Sequence, residues 1–540
     1  MLIIRRTLLL AAIPFIIGAS DTPAETITPD AMRAHVEFLA SDALEGRETG
    51  TRGYDIAAEY VASRFRAIGM QPVSDKGWFQ QVPFIANLVD EKTSTLSIDG
   101  QSFVVRQDVL FGPAPKAGTE TVEGNVVFVG FGIDDAKNGQ NDYKGLDVKG
   151  KIVAVLHGFP KGTVSDVGAH YGRSKAKMAE ARGAIGVITI RTLERERTRP
   201  WARETEGPQH PSLSWAQADG TMFAEAPAIR FSAVLGEKAA EALFKTAPKT
   251  LKDILAEADR QGGRPKGFAL SSTAKIDRTS SSTTVSSPNV IGMIPGSDPA
   301  LANEYVLLMA HLDHVGVDAT KTGDKISNGA MDNASGTATL LEAARALASG
   351  PRPRRSVIFA AVTAEERGLL GSDYLARHPV TTNGKVVSVV NLDMPVLLYD
   401  FQDVVAFGAE HSTMGAAVAR AAESQGIGLS PDPLPSEGLF TRSDHYSFVK
   451  QGVPSVFLMT GFKNGGEKQF QDFLKTHYHK VSDDLALPFD WNAAAKFARL
   501  NTAIAMEIAN ADEAPKWYAD SFFGKTFAPG AAKTPRPAAK

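Results

Sequence analysis

Apolar side chains recur three and four positions apart on both sides of a glycine-containing turn in ITPDAMRAHVEFLASDALEGRETGTRGYDIAAEYVASRFRAIGMQPV, which predicts two helices. Near residue 110 the pattern changes to short β-rich runs, NVVFVGFGI, KIVAVLHGF and AIGVITI, separated by Gly, Asp and Asn turns. These predict an inserted β-rich domain with one helix, from about Arg173 to Arg182. Its end has no sharp mark and runs through a polar stretch to RTSSSTTVSSPNV. From Asn289 onward strands and helices alternate: EYVLLMAHLD, GTATLLEAARALAS, RRSVIFAAVTAEE, KVVSVVNLDM, DVVAFGA, STMGAAVARAAESQG, VPSVFLMTG and WNAAAKFARLNTAIAMEIANA. Such alternation predicts an α/β fold, a mostly parallel mixed sheet covered by helices on both faces. The closing FAPGAAKTPRPAAK has nothing to bury and predicts a disordered tail.

At the start, Arg5 and Arg6 precede an apolar run from Leu8 to Ile17, followed by Gly18, Ala19 and Ser20. This is the pattern of a signal peptide, and its Arg pair loosely suggests the twin-Arg route. The run is short for a membrane span, and no later stretch approaches the roughly 20 apolar residues a spanning helix needs. The expected mature chain is exported, periplasmic or extracellular, without a stable span; an uncleaved anchor is the alternative. The expected division is a signal peptide over 1–20, an N-terminal part of the main domain over 25–110, the insertion over 111–270, the rest of the main domain over 271–512 and a tail over 513–540.

Composition narrows the chemistry. The 540 residues include no cysteine, which removes disulfides, thiolate nucleophiles and Cys-based metal sites. Any metal must sit on His, Asp and Glu. Lys and Arg total 58 against 61 Asp and Glu, a net charge of −3, so no basic excess points to nucleic acid. Oligomeric state has no signature here.

In open α/β sheets ligands bind beyond the carboxyl ends of the strands. Residues able to bind metal stand there: His311 after YVLLMA, Asp332 in NGAMDNASG, Glu365 and Glu366 after SVIFAAVTA, Asp393 after VVSVVNL, and His479 in THYHKVSDD. Each alone has an ordinary reading. His311 or His314 could be a core histidine, the glutamate pair a helix start, Asp332 a helix cap, and Asp393 a partner for a backbone amide. Together, two imidazoles and three carboxylates with a spare glutamate form the inventory of a two-metal site, favouring zinc, with manganese or cobalt possible. There is no H-E-x-x-H, no G-x-S-x-G elbow and no complete Walker A loop. Ser443, Asp444 and His445 are adjacent, so they cannot converge as a triad and read as a turn lining the pocket.

The segments AHLDHVG, GAMDNASGTATLLEAARAL, TAEERGLLGS, NLDM, RSDHYSF and YHKVSDD, in that order, resemble the di-zinc aminopeptidase family, whose relatives include glutamate carboxypeptidase and the transferrin receptor. The likeness extends to LASDALEGRETGTRG and SSPNVIGMIPGSDP, while GLDVKGKIVAVLHG and KMAEARGAIGVITI resemble the protease-associated domain inserted in many members. The resemblance implies two zinc ions per chain, one on His311 and Asp393, the other on Glu366 and His479, with Asp332 bridging and Glu365 as general base. It also implies that Asp313 orients His311, that the bond from Asp332 to Asn333 is cis, that Tyr478 helps an oxyanion, and that the pattern through Asp483 marks His479 rather than His477 as ligand. Pro395 after NLDM and the long GFKNGGEKQFQDFLKT depart from the family pattern and bear on substrate access. The expected activity is removal of the N-terminal residue from peptides with a free N-terminus. A carboxypeptidase acting on acidic dipeptides, a glutaminyl cyclase and a non-catalytic receptor-like ectodomain are the alternatives.

Overall fold

The computed structural model describes residues 23–73, 77–206, 209–381 and 383–538, so the segment read as a signal peptide lies outside the described residues. The main sheet is built around Glu304–His311, which pairs in parallel with Val357–Val362 on one side and Lys385–Leu392 on the other. Ser455–Thr460 continues the parallel order, and Asp403–Phe407 joins it antiparallel. The run YVLLMA is continuously apolar because both faces of its strand are covered. Val306, Leu308 and Ala310 face the helices Pro29–Leu39, Arg52–Ala67, Ser335–Ser349 and Trp491–Asn510, whereas Tyr305, Leu307 and Met309 face Leu375 and Phe448 on the opposite side. This two-sided burial holds the strand ends, and hence the residues that follow them, in a rigid frame.

A separate apolar cluster runs from Leu96 to Ile276. Within it Ile152–Leu156 lies between Gly118–Phe128 and Gly186–Ile190, parallel to both. The helix expected from about Arg173 spans Ser165–Ala181. Its first turns carry Gly168, which reads as a breaker but is required by packing, since a Cβ there would meet the Phe159 ring at 2.4 Å. Four further short helices, Leu193–Thr198, Trp201–Glu204, Glu237–Leu243 and Leu251–Ala258, correct the expectation of one helix in this part. They are too short for a helical period to stand out from the sequence.

The polar stretch through RTSSSTTVSSPNV is not a loop. It belongs to one 27-residue strand, Phe268–Ile294, that passes from one cluster to the other. Leu270, Ser272, Ala274, Ile276, Arg278 and Ser280 alternate into the interior, and residues 280–290 pair antiparallel with Phe79–Val89. Serine and arginine at inward positions hide the period of two from a hydrophobic count. The closing segment is also anchored rather than free: Trp517 and Phe523 are buried, Tyr518 pairs with Thr534, and Arg536 meets Asp520 at 2.8 Å. No described helix is long and apolar enough to cross a membrane.

Candidate metal centre

Each expected ligand arrives at the same edge from a different element. His311 ends its strand, Glu365 and Glu366 follow Val357–Val362, and Asp393 follows Lys385–Leu392. Asp332 lies in the irregular turn Ala330–Ala334, whose Asp332–Asn333 peptide is cis. Gly329 enters that turn at φ 61°, and a Cβ there would stand 2.3 Å from the Asp332 carbonyl oxygen and 2.6 Å from His314. Only glycine fits, on conformational and steric grounds alike. His479 comes from the loop after Gly466–Thr476.

The Asp332 carboxylate sits at the middle. Its Oδ1 is 3.3 Å from His311 Nε2, and its Oδ2 is 3.3 Å from His479 Nε2. His311 Nε2 also faces Asp393 Oδ1 at 3.1 Å, and His479 Nε2 faces Glu366 Oε2 at 3.1 Å. Two imidazole–carboxylate groups thus share one carboxylate. His311 donates its Nδ1–H to the Asp313 carbonyl at 3.1 Å and turns Nε2 to two carboxylates; burial opposes charge on the ring, but Asp393 and Asp332 raise it well above its ordinary range. Such an arrangement is favourable only with positive charge among the carboxylates, carried by ring protons or by a metal ion in their place. The donor set and spacings of 3.1–3.3 Å fit zinc, whose bonds of about 2.0–2.1 Å place tetrahedral donors roughly 3.4 Å apart.

Asp313 acts differently from the expectation. Its carboxylate is 4.0 Å from the His311 ring, and its main-chain oxygen holds that ring instead. The carboxylate accepts the backbone N–H groups of Glu365 (3.1 Å) and Glu366 (3.2 Å), fixing the paired glutamates. Among the described residues no hydrogen bond or ion pair joins Asp483 to His479; Asp483 accepts the N–H groups of Met331 (2.8 Å) and Asp332 (3.0 Å) and so holds the central turn. Burial pushes the carboxyls of Asp313 and Asp483 up to about 6. Asn333 donates to the Leu392 carbonyl at 2.9 Å and accepts from Gly336 at 3.0 Å, tying the turn to the next strand. His477 turns to Ser482 at 3.0 Å, away from the cluster.

The neighbouring glutamates differ in setting. Burial, then the charges of Glu366, Asp393 and Asp444, raise the Glu365 carboxyl well above the carboxylate range despite the opposing His311. Burial also opposes charge on Glu366, but His314 and His479 hold it below that range. Among the described residues, Glu365 forms no hydrogen bond or ion pair through its carboxylate. It lines a cavity of about 220 Å³ with His311, Asp332, Asp393, Ser443 and Tyr478, walled by Met394, Leu439, Phe457, Phe470 and Leu474. A larger cavity of about 720 Å³, at the seam with the inserted part, holds none of these candidate ligands. The Tyr478 ring stacks on His479 with centroids 3.8 Å apart, and burial raises its hydroxyl further above its ordinary range.

Three contributors stand outside the expected ligand set; of these, Ser443 is expected only as part of a turn lining the pocket, where it lies. His314 donates Nδ1–H to Glu366 Oε1 at 2.8 Å, leaving Oε2 toward His479; its place three residues after His311 was the available signal. Ser443 donates to Asp393 Oδ2 at 2.5 Å and accepts from Asn391 at 2.7 Å, while His445 donates to the Phe440 carbonyl at 2.7 Å, so these neighbours do diverge. Arg47, buried in LEGRETG, donates to the carbonyls of Leu39, Leu312, Asn328 and Gly329, on both sides of the cluster. Arginine beside a glycine in a turn offers no sequence sign of burial.

Residues 289–505 match peptidase family M28. A probable zinc metalloprotease of Pyrenophora teres f. teres (strain 0-1) is 26% identical over 260 residues, 42% of this chain and 53% of that protein. Leucine aminopeptidase 1 of Trichophyton rubrum is 27% identical over 230 residues, 41% of this chain and 58% of that protein. The chain thus spans a little over half the length of these curated relatives. In fold it is similar to an aminopeptidase from Aneurinibacillus sp. strain AM-1, with a TM-score of 0.50 and 19% identity over 91% of this chain and 96% of that one.

Proposed function

Residues 289–505 being a domain of peptidase family M28, we propose that the chain is an exported metallo-aminopeptidase. In this reading two zinc ions are held by His311, Asp332, Glu366, Asp393 and His479, and Glu365 is the general base. The observation that carries it is the Asp332 carboxylate, with an imidazole 3.3 Å from each of its oxygens and a further carboxylate beside each imidazole.

Zinc, when bound, supplies a water acidic enough to ionise near neutral pH and polarises the scissile carbonyl. The chain's own groups do the rest. Glu365, fixed through its backbone by Asp313 and free of partners at its carboxylate, takes the proton of the attacking water and delivers it to the leaving amine. Its raised carboxyl suits holding that proton between the two steps. Tyr478, kept protonated by burial, donates its hydroxyl to the oxygen that gains charge. The walls of Met394, Leu439, Phe457, Phe470 and Leu474 favour an apolar N-terminal side chain, and the cluster carboxylates receive the substrate ammonium. Export rests on the N-terminal sequence pattern alone.

An N-terminal amine within reach of those carboxylates orients the peptide for attack, whereas an acetyl cap removes its charge and adds bulk. Leucyl-anilides should therefore be cleaved and their N-acetyl forms left intact in a chromogenic assay. Equal rates on both would overturn the aminopeptidase reading. Cleavage confined to substrates with a free C-terminal carboxylate would replace it with the carboxypeptidase one.

A further inference from the structure

A second group of ligand-type side chains lies away from the centre, where the inserted part meets the main sheet. Asp166 is in the first turn of Ser165–Ala181, and Glu410 and His411 occupy the single turn Ala409–His411 that follows Asp403–Phe407. His411 Nε2 is 3.4 Å from Glu410 Oε1 and 3.9 Å from Asp166 Oδ2. One donor atom from each of the three lies within 4.8 Å of the others. The His411 ring is set by Phe440 and Phe523, with centroids 5.0 and 4.9 Å away. At this seam two polar atoms, His411 Nε2 and Asp166 Oδ1, are buried without a hydrogen-bond partner. Buried polar atoms are rarely left in that state. Among the described residues, neither Asp166 nor Glu410 forms a salt bridge with lysine or arginine, and Arg536, paired with Asp520, reaches Glu410 at its main-chain oxygen.

We propose that Asp166, Glu410 and His411 form a further zinc site that clamps the inserted part onto the peptidase core. Tetrahedral zinc separates its donors by roughly 3.4 Å, the spacing of His411 and Glu410, and the Asp166 carboxylate needs only a small side-chain adjustment to match it. One imidazole with two carboxylates selects zinc over calcium or magnesium, which prefer oxygen donors alone. The residues come from two elements far apart in the chain, so a bound ion ties the helix Ser165–Ala181 to the core. That helix packs on Gly438, where a Cβ would meet Ala169 at 2.9 Å, and the adjacent Glu437, Leu439 and Arg442 line the substrate cavity. The clamp thereby steadies one wall of that cavity.

The test is a count of tightly bound zinc on the full chain, stripped with chelator, reloaded with zinc alone and desalted before elemental analysis. Glu410→Gln changes a half-exposed side chain and should fold; His411→Ala removes the nitrogen donor. Both variants should hold one zinc equivalent fewer than the wild type, with melting curves showing a smaller zinc-induced rise in Tm. Equal zinc content in wild type and both variants would overturn the proposal. The result is independent of the aminopeptidase reading: if the main centre bound no zinc, the wild type would still carry the one equivalent that His411→Ala removes.

Discussion

Glu365 and Glu366 are chemically identical neighbours, and their surroundings separate them. Asp313 fixes both backbones, while of the two carboxylates it is that of Glu366 that His314 and His479 engage. Opposite carboxyl shifts follow, upward for Glu365 and downward for Glu366, which under the proposed function would set a proton carrier beside an ionised ligand. Glu365→Gln should leave zinc content unchanged and lower kcat by at least about 100-fold, since loss of a positioned general base costs 10²–10⁴. Glu366→Gln should instead lower zinc occupancy. Elemental analysis beside steady-state kinetics separates these outcomes, and zinc loss from Glu365→Gln alone would reverse the two roles.

At the scale of elements, the site depends on loops held by groups that never meet the substrate. The Arg47 guanidinium donates to Leu312, between His311 and Asp313, at 2.9 Å, and to Asn328 and Gly329, before the Asp332 turn, at 2.6 and 3.0 Å. Burial lowers its pKa to about 10, against the charges of Asp483, Asp313, Asp332 and Glu366, and leaves it ionised at neutral pH. Lysine keeps the charge but lacks the fork that reaches several carbonyls at once. Arg47→Lys should therefore cost at least about 2 kcal/mol, given about 1–3 kcal/mol for each buried group left unsatisfied. Zinc affinity should fall with it, measured by competition with a chromogenic chelator. Unchanged stability and affinity would show that the two loops hold themselves.

Across the whole molecule, the apolar clusters of the inserted part and of the sheet are joined by the long strand Phe268–Ile294 and by the C-terminal segment. Phe522 packs against both clusters, and Phe522 and Phe527 meet the ring of His170, which bonds the Tyr446 hydroxyl at 2.7 Å. Trp517 anchors that segment, its indole donating to the Gly452 carbonyl at 2.8 Å. Trp517→Ala should destabilise the chain by about 3–5 kcal/mol, the cost of emptying a large aromatic site. It should also expose the segment after residue 512 to proteolysis under native conditions. A variant as stable and as resistant as the wild type would return this segment to the disordered tail its composition suggested.

The sequence by itself determined the order of strands and helices in the main sheet, because strands buried on both faces need unbroken apolar runs and their covering helices need a periodic stripe. It also marked His311, Asp332, Glu365, Glu366, Asp393 and His479, since polar residues that abruptly end such runs stand out. Only the tertiary structure decided which oxygen faces which nitrogen, that the Asp313 carboxylate holds backbone amides while its main-chain oxygen holds the His311 ring, and that His314 and Arg47 brace the cluster. It likewise turned a serine- and threonine-rich stretch into a strand and a Pro- and Ala-rich end into a packed one. In each of these cases the deciding partner lies far along the chain. Local pattern records whether a residue has something to bury or bond; the identity of the partner exists only once the chain has closed on itself.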